Sequence, residues 1–278
     1  MAPRTPVDVD KPVKAGHALP SLRGRASPAP TGDHELLFGR NAVLEALRGG
    51  RPIRRVLLAA GAGGEPITQL VDAARTRGVR IDMVDRQRLD VLASHHQGVV
   101  AEAAPFRYAE LDDLLARARA SSQPPLILAL DTLQDPQNFG SLLRTAAAVG
   151  AHGAIIPEHR AVGVTPAVAK AAAGATEHLA IAQVTNLARA LGTLKTAGLW
   201  VVGLDAGAEK VYVQADLSGP LVVVVGGESR GVRPLVRQTC DFLVCLPMPG
   251  QIESLNAAVA GSIVLYEVLR QRSQQGTT

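Results

Sequence analysis

Five polar side chains stand in three separated stretches of this 278-residue chain. Asn138 and Arg144 lie in residues 131–157 (DTLQDPQNFGSLLRTAAAVGAHGAIIP), Glu228 in 221–231 (LVVVVGGESRG), and Ser254 and Asn256 in 246–268 (LPMPGQIESLNAAVAGSIVLYEV). A guanidinium, a carboxylate, two amides and a hydroxyl form a set suited to orienting a ligand and to stabilising charge that develops on it. In each stretch a short apolar strand runs into a turn rich in Gly or Pro and then a helix. The polar residues therefore fall at strand ends, where open α/β sheets hold ligands.

Taken singly, each residue also has a plainer reading. Asn138, in the DPQNFG turn just before a helix, can cap that helix or orient a neighbour, and Arg144 follows about 9 Å along the axis. Alone, the pair reads as an N-cap and a surface arginine, and Glu228 as a solvated turn carboxylate. The run VVVVGGESRG is G-G-x-x-x-G rather than G-x-G-x-x-G, and no Walker lysine follows, which argues against nicotinamide or nucleoside-triphosphate binding. Pro247, Pro249 and Gly250 force an irregular loop whose amides and carbonyls cannot all pair in a sheet, leaving backbone groups for a ligand. Ser254 reads as the N-cap of a helix over 254–272. Leu255, Val259, Ile263, Tyr266 and Leu269 would form its apolar seam, ample for core packing and for a subunit interface.

The elements that must position these groups are those of an α/β protein. Hydrophobic residues make up 47% of the chain and aromatics only 3%, so Val, Leu, Ile and Ala fill the core, with runs such as 222–225 suited to strands buried on both faces. Strands are predicted at 54–59, 80–84 and 98–104, with helices at 40–47 and 67–77, in a small first unit. A short helix and the polar SSQPP segment connect it to a second. That second unit has strands at 126–130, 154–156, 180–184, 199–204, 221–225 and 242–246, and helices at 140–149, 166–173, 187–197, 234–239 and 254–272. Alternation throughout predicts a mostly parallel sheet.

Lys and Arg number 29 against 25 Asp and Glu, a net charge of +4. That balance is compatible with an anionic partner and is weak on its own. Cys240 and Cys245, roughly 17 Å apart if extended, are too distant for a disulfide and read as two buried thiols in a reducing compartment. No Cys/His cluster suggests a metal. No apolar run is long enough to cross a bilayer, which places the chain in the cytoplasm. The first 34 residues, with prolines at 3, 6, 12, 20, 28 and 30, read as a disordered tail.

The three stretches, in this order and at this separation, resemble the signature motifs of the SpoU (TrmH-like) branch of the SPOUT RNA 2′-O-ribose methyltransferases. LFGRNAVLEAL at 37–47 and HHQGVVAEA at 95–103 are similar to the ends of the ribosomal-protein-L30e-like substrate-binding domain that many members carry. The resemblance covers about residues 35–272. It implies an α/β fold with a C-terminal SPOUT domain over 125–278, with a mostly parallel sheet and a deep trefoil knot tied from about Gly226 to the last helix. An L30e-like domain over 35–107 and a linker over 108–124 would precede it. Composition could not have shown a knot.

The same resemblance implies S-adenosyl-L-methionine as methyl donor, with Gly226, Leu246, Met248 and Leu255 around it. It assigns catalysis to Asn138, Arg144, Glu228, Ser254 and Asn256. A guanidinium titrates above about 12, which favours orientation and charge stabilisation by Arg144 while leaving base action open. Arg40, Asn41, His96 and Gln97 would touch RNA, although His95 and His96 read equally as turn histidines. Ala258 stands where members often have Ser. The first domain and VTNLARAL at 184–191 look most like enzymes that methylate a guanosine ribose of 23S ribosomal RNA and are homodimers with active sites drawing on both subunits. A tRNA or antibiotic-resistance methylase of the same fold, and a noncatalytic RNA-binding ribosome-assembly protein, are the alternatives.

Overall fold

The computed structural model describes residues 34–228 and 231–275, so the tail expected over 1–34 lies, but for His34, outside the described residues. Two sheets organise the chain. The first combines β1 (Glu35–Phe38), β2 (Ile53–Ala59), β3 (Arg80–Val84) and β4 (Val99–Ala103) in the order β1-β4-β2-β3. Only the β2–β3 pair is parallel. Helices α1 (Arg40–Gly49) and α2 (Glu65–Thr76) bury Val43, Leu47 and Leu70 against one face. The short α3 (Arg86–Leu92) places Leu89 on the other beside Leu57 and Val100.

The second sheet contains β5 (Leu126–Asp131), β6 (Gly153–Pro157), β7 (Ile181–Val184), β8 (Trp200–Leu204), β9 (Leu221–Gly226) and β10 (Phe242–Val244). Its order is β10-β8-β9-β5-β6-β7, and every pair is parallel. Alternate residues of the apolar runs face opposite sides, as strand geometry requires. Leu126, Leu128, Val223 and Val225 pack with α5 (Pro136–Ala148), α6 (Pro166–Ala171) and α9 (Ala257–Gln275). Ile127, Ala129, Val222 and Val224 pack with α4 (Leu111–Ala120), α7 (Leu187–Thr196) and α8 (Pro234–Thr239). A parallel sheet covered on both faces is what uninterrupted Val and Leu runs encode.

Several expected elements move. The helix predicted from 140 begins at Pro136, because the Asp135 carboxylate accepts from the Gln137 and Asn138 amides (3.2 Å each) and proline suits the first helical position. Asn138 therefore sits inside the first turn, not before it. The helix predicted from 254 begins at Ala257. Its cap is Asn256, whose Oδ1 accepts from the Ala258 and Val259 amides at 2.8 and 3.2 Å, so Ser254 stays in the loop. Of the two uses expected for the seam, core packing is not the one seen: Leu255, Val259, Tyr266 and Leu269 are between 36% and 54% exposed, while Ala258, Gly261, Val264 and Val268 are buried. Residues 108–124, read as a connector, carry α4, whose Leu114 is fully buried against the second sheet. β1 and α3 had no counterpart in the reading. The two thiols are half-buried rather than fully enclosed, and burial pushes Cys240 up to about 11.

Helix α6 joins the two sheets. Ala169 belongs to the core of the first sheet, while Val168 and Ala172 belong to the second. Next to it, Gly49 and Glu177 are in close approach, and buried Arg51 pairs with Glu35 and, at 3.1 Å, with Glu177 while donating to the Ala104 carbonyl. On the other side α6 lies against α5 at Gly140. A methyl group there would stand 2.5 Å from Ala171 Cβ and 2.7 Å from the Ala172 nitrogen. Backbone cannot yield as a side-chain tip can. Gly140→Ala is therefore expected to lose about 1–2 kcal/mol in urea unfolding, the overpacking cost exceeding the helix-propensity gain. An equal or raised midpoint would refute this reading of the α5–α6 contact.

Candidate active site

The carboxyl ends of β8, β9 and β10 converge on one cavity of about 260 Å³. Its lining includes Val225, Gly226, Gly227 and Glu228 from the β9 turn, Leu246 and Met248 after β10, and Ser254 and Leu255 ahead of α9. All four residues expected around a methyl donor, and two of the five expected in catalysis, thus face the same space.

Sterics dictate the glycines of the β9 turn. A side-chain carbon on Gly226 would collide with the Gly231 and Val232 backbone, and one on Gly227 would lie 2.6 Å from the Thr132 carbonyl oxygen. The turn is held from below by Asp131, fully buried at the end of β5. Its carboxylate accepts from the Arg233 amide (2.8 Å) and takes the Arg233 guanidinium at 2.7 Å. Thr132 beside it adopts a left-handed φ of 62°, a conformation costly for a β-branched residue and retained where surrounding structure imposes it.

Three of the expected catalytic groups form one hydrogen-bonded chain. Asn256 Oδ1 is committed to the α9 cap, so its amide nitrogen must donate, and it does so to Asn138 Oδ1 at 2.8 Å. The Asn138 amide nitrogen then donates to Glu228 Oε1 at 2.7 Å. The helix cap thereby fixes which way both amides point, and the chain ends on a carboxylate that can only accept. Glu228 keeps its second oxygen for a ligand.

The loop over 246–255 provides the remaining wall. No main-chain amide or carbonyl in it bonds to another described residue, as its prolines lead one to expect. Such groups at a cavity edge can recognise the polar rim of a nucleoside, while Leu246, Met248 and Leu255 offer apolar contact to its face. These residues fit an adenosine with a charged sulfonium tail, since Glu228 and Glu253 supply carboxylates in the same cavity. Among the described residues no cluster of His, Cys, Asp and Glu could hold a metal ion.

Arg144 is not joined to this chain. Six residues beyond Asn138, at 3.6 per turn, its side chain points about 120° away around the helix. It lies exposed in a groove with Asn41, Glu45, Arg48 and His178, and has no hydrogen bond or ion pair with any described residue. The expected RNA contact at His96 is also displaced. The ring is 2% exposed, accepting from the Gly98 amide at Nδ1 and meeting Asp90 at Nε2, so it supports the turn from inside. Sequence reasoning missed Asp131 and the end of β8, where Leu204, Asp205 and Ala206 line the cavity. The signal for both was an acid closing an apolar strand, in LILALD and WVVGLD.

The comparisons with known proteins agree with this geometry. A family model described as the SpoU rRNA Methylase family matches residues 125–266, and one described as RNA 2′-O ribose methyltransferase substrate binding matches residues 36–109. The putative TrmH family tRNA/rRNA methyltransferase YacO of Bacillus subtilis is 46% identical over 244 residues, 87% of this chain and 98% of that protein. The fold is similar to the SpoU methyltransferase AviRb of Streptomyces viridochromogenes in complex with AdoMet (26% identity, TM-score 0.73, 87% and 91% covered). It is likewise similar to the AdoMet-bound rRNA methyltransferase of Sinorhizobium meliloti (25%, TM-score 0.69, 85% and 87%). The A. aeolicus TrmH/SpoU tRNA modifying enzyme, 31% identical with a TM-score of 0.51, covers 60% of this chain and 86% of its own. With a family match to each sheet, this chain belongs to the SpoU family of S-adenosylmethionine-dependent RNA 2′-O-ribose methyltransferases.

Proposed function

We propose that the chain methylates the ribose 2′-hydroxyl of a guanosine in 23S ribosomal RNA. The observation that carries the ribosomal reading is the extent of likeness. The solved rRNA methyltransferase of Sinorhizobium meliloti matches across 85% of the chain, whereas the A. aeolicus tRNA modifying enzyme matches 60%. Residues 35–107 serve as the L30e-like RNA-binding domain and 125–278 as the methyltransferase domain. The work is done in the cytoplasm; among the described residues no helix is long and apolar enough to cross a membrane.

S-adenosylmethionine supplies an electrophilic methyl when bound between Gly226, Leu246, Met248 and Leu255. The chain's own residues do the rest, which is mostly positioning. Asn256 and Asn138 lock Glu228, whose free oxygen accepts a hydrogen bond from the ribose and holds the 2′-oxygen in line. Ser254, exposed on the same cavity, donates to that ribose. Arg144 stabilises the alkoxide as it develops. The route of the chain supports a knot: β10 lies at the sheet edge beyond β8, yet α9 returns to pack on Leu142 and Val225, so residues 245–256 cross the strand ends next to Gly226, Gly227 and Gly231.

Arg144 reaches its place from a second copy. The side chain faces away from Glu228 in its own chain, and Leu255, Val259, Tyr266 and Leu269 form an exposed apolar stripe beginning next to Asn256. Stripes of this kind mark subunit contacts. Tritiated-methyl transfer to unmodified 23S ribosomal RNA, with mapping of the labelled ribose, is expected to find one guanosine, and label appearing instead in bulk tRNA would overturn the target. Arg144→Ala and Glu228→Ala should each abolish transfer, and Arg144→Ala should leave donor affinity within a few-fold by calorimetry. Co-expressed, the two inactive variants should recover about a quarter of wild-type activity, since half the dimers are mixed and each mixed dimer has one intact site. A mixture as inert as its parents would show that Arg144 does not act across the interface.

A further inference from the structure

A second cavity, of about 310 Å³, opens at the opposite end of the second sheet. Its lining includes Trp200, Leu221 and Phe242, the first residues of β8, β9 and β10. At about 3.3 Å per residue, Leu221 stands about 17 Å along β9 from Gly226 in the first cavity. Trp200 pairs with Leu221, and Phe242 with Val202, so strand alternation turns all three to one face. Leu221 is buried, whereas Trp200, the single tryptophan of the chain, is 59% exposed. Tryptophan is highly buried on average; here its indole forms an open wall of a concave site.

The segment over 205–220 brings two charges to the same cavity, Lys210 and Asp216. The Lys210 ammonium stands 5.4 Å from the centre of the Phe242 ring and has no ion pair or side-chain hydrogen bond with any described residue. Asp216 Oδ1 accepts from the Ser218 hydroxyl at 2.6 Å and the Ser218 amide at 3.0 Å, which leaves Oδ2 without a partner among the described residues. Those two bonds, with Lys210 nearby, hold the carboxyl below its usual range, so at neutral pH it can only accept. The backbone carrying both charges is fixed from behind. The Cys245 amide donates to the Lys210 carbonyl at 2.9 Å, and the Gln271 side chain bonds the Ala215 carbonyl at 3.0 Å and the Leu217 amide at 2.8 Å, on either side of Asp216. A site whose backbone is set in advance loses less on ordering when a ligand binds.

We infer that this cavity binds a guanine base, at a site separate from the donor cavity. Any base can stack its π-face on an indole, so the Trp200 wall selects a nucleobase and the two charges select which one. Lys210 can only donate and Asp216 can only accept. Guanine satisfies both: O6 and N7 accept from a cation, while N1–H and the N2 amino group lie side by side and give one carboxylate two donors. Adenine and cytosine offer a carboxylate a single amino group, and uracil a single imide N–H. The separation of about 17 Å along β9 distinguishes this base from the nucleotide that is methylated, and the inference does not depend on which nucleotide that is. A free guanine nucleotide and an unpaired guanosine of an RNA present the same edge to the site.

Trp200 reports on the site directly, because no other tryptophan contributes to the emission. The full chain, with S-adenosylhomocysteine saturating the donor cavity, is titrated with GMP, AMP, CMP and UMP while the emission is followed with inner-filter correction. GMP should quench saturably and bind about tenfold more tightly than the other three. D216N, which keeps an acceptor for Ser218, should weaken GMP about ten- to a hundredfold and leave AMP within about twofold. By calorimetry W200A should weaken GMP about fivefold or more. The urea midpoint and S-adenosylhomocysteine affinity should not move in either variant, and the wild-type ranking of nucleotides decides the matter should D216N unfold. Hairpin RNAs with one bulged guanosine or one bulged adenosine separate the sources. A preference for the guanosine hairpin that D216N loses assigns the base to RNA, and GMP binding without that preference assigns it to a free nucleotide. Emission that answers neither GMP nor the guanosine hairpin, an equal response to AMP, or a D216N chain with the wild-type GMP preference would overturn the site.

Discussion

The cavity at the strand ends exists because chain segments cross at the end of β9 closer than any side chain permits. Gly226 runs against the backbone of Gly231 and Val232, and Gly227 against the carbonyl of Thr132. Van der Waals contact between backbones at such distances supplies little cohesion by itself, and a free turn of this composition would be conformationally loose. The Asp131–Arg233 pair supplies the restraint. A carboxylate with no exposure is costly to bury, but here both its oxygens are bonded, one of them to backbone, and the guanidinium is partly solvated. Removing the arginine would leave the charge buried and alone, so the pair acts less as a source of stability than as a condition on where the turn can lie.

The reach of sequence reasoning follows from which quantities are local. The strands of the second sheet were legible because a run such as VVVV at 222–225 carries its own signature, alternate residues entering opposite cores. Gly226, Leu246, Met248 and Leu255, named through the family resemblance, line one cavity. The helix start at Ala257 was not legible, because Ser254 and Asn256 are both good caps. The choice between them was made by a residue more than a hundred positions away: Asn138 takes the Asn256 amide nitrogen and leaves its oxygen for the cap. Periodicity found the apolar stripe of α9 but could not say what it faces. Gly261 lets the helix sit against Leu142 and Val225, so the small residues turn inward and the large ones outward. β1 is four residues long, too short for a period to register, and is defined by pairing with β4.

Two domains read from composition as separate units are mechanically one at α6. That helix shares residues with both cores, touches α5 at a glycine, and is flanked by the buried Arg51–Glu177 pair. Burial pushes the Glu177 carboxyl above the usual range, with Arg51 opposing the shift. Across the same boundary His178 meets Glu45 at 2.6 Å; burial would raise that carboxyl, but His178 and Arg48 outweigh it and hold it low. Packing of this density transmits displacement instead of absorbing it. The first sheet is therefore held at a fixed distance from the helix that carries Asn138.

The remaining asymmetry lies in that same helix. Asn138 and Arg144 share α5, and rigidity that fixes one fixes the other, yet they point to different sides. The two residues stand about 120° apart around the helix, and α5 is clamped between α6 and α9, with Thr145 bonded to Ser262 at 2.9 Å. Moving the helix would break contacts with both cores. Adding a second copy over the α9 stripe costs none of those contacts and buries apolar surface that is otherwise in water. Between a deformation opposed by packing and an association favoured by it, the dimer we propose is the lower-energy way to bring Arg144 to the ribose.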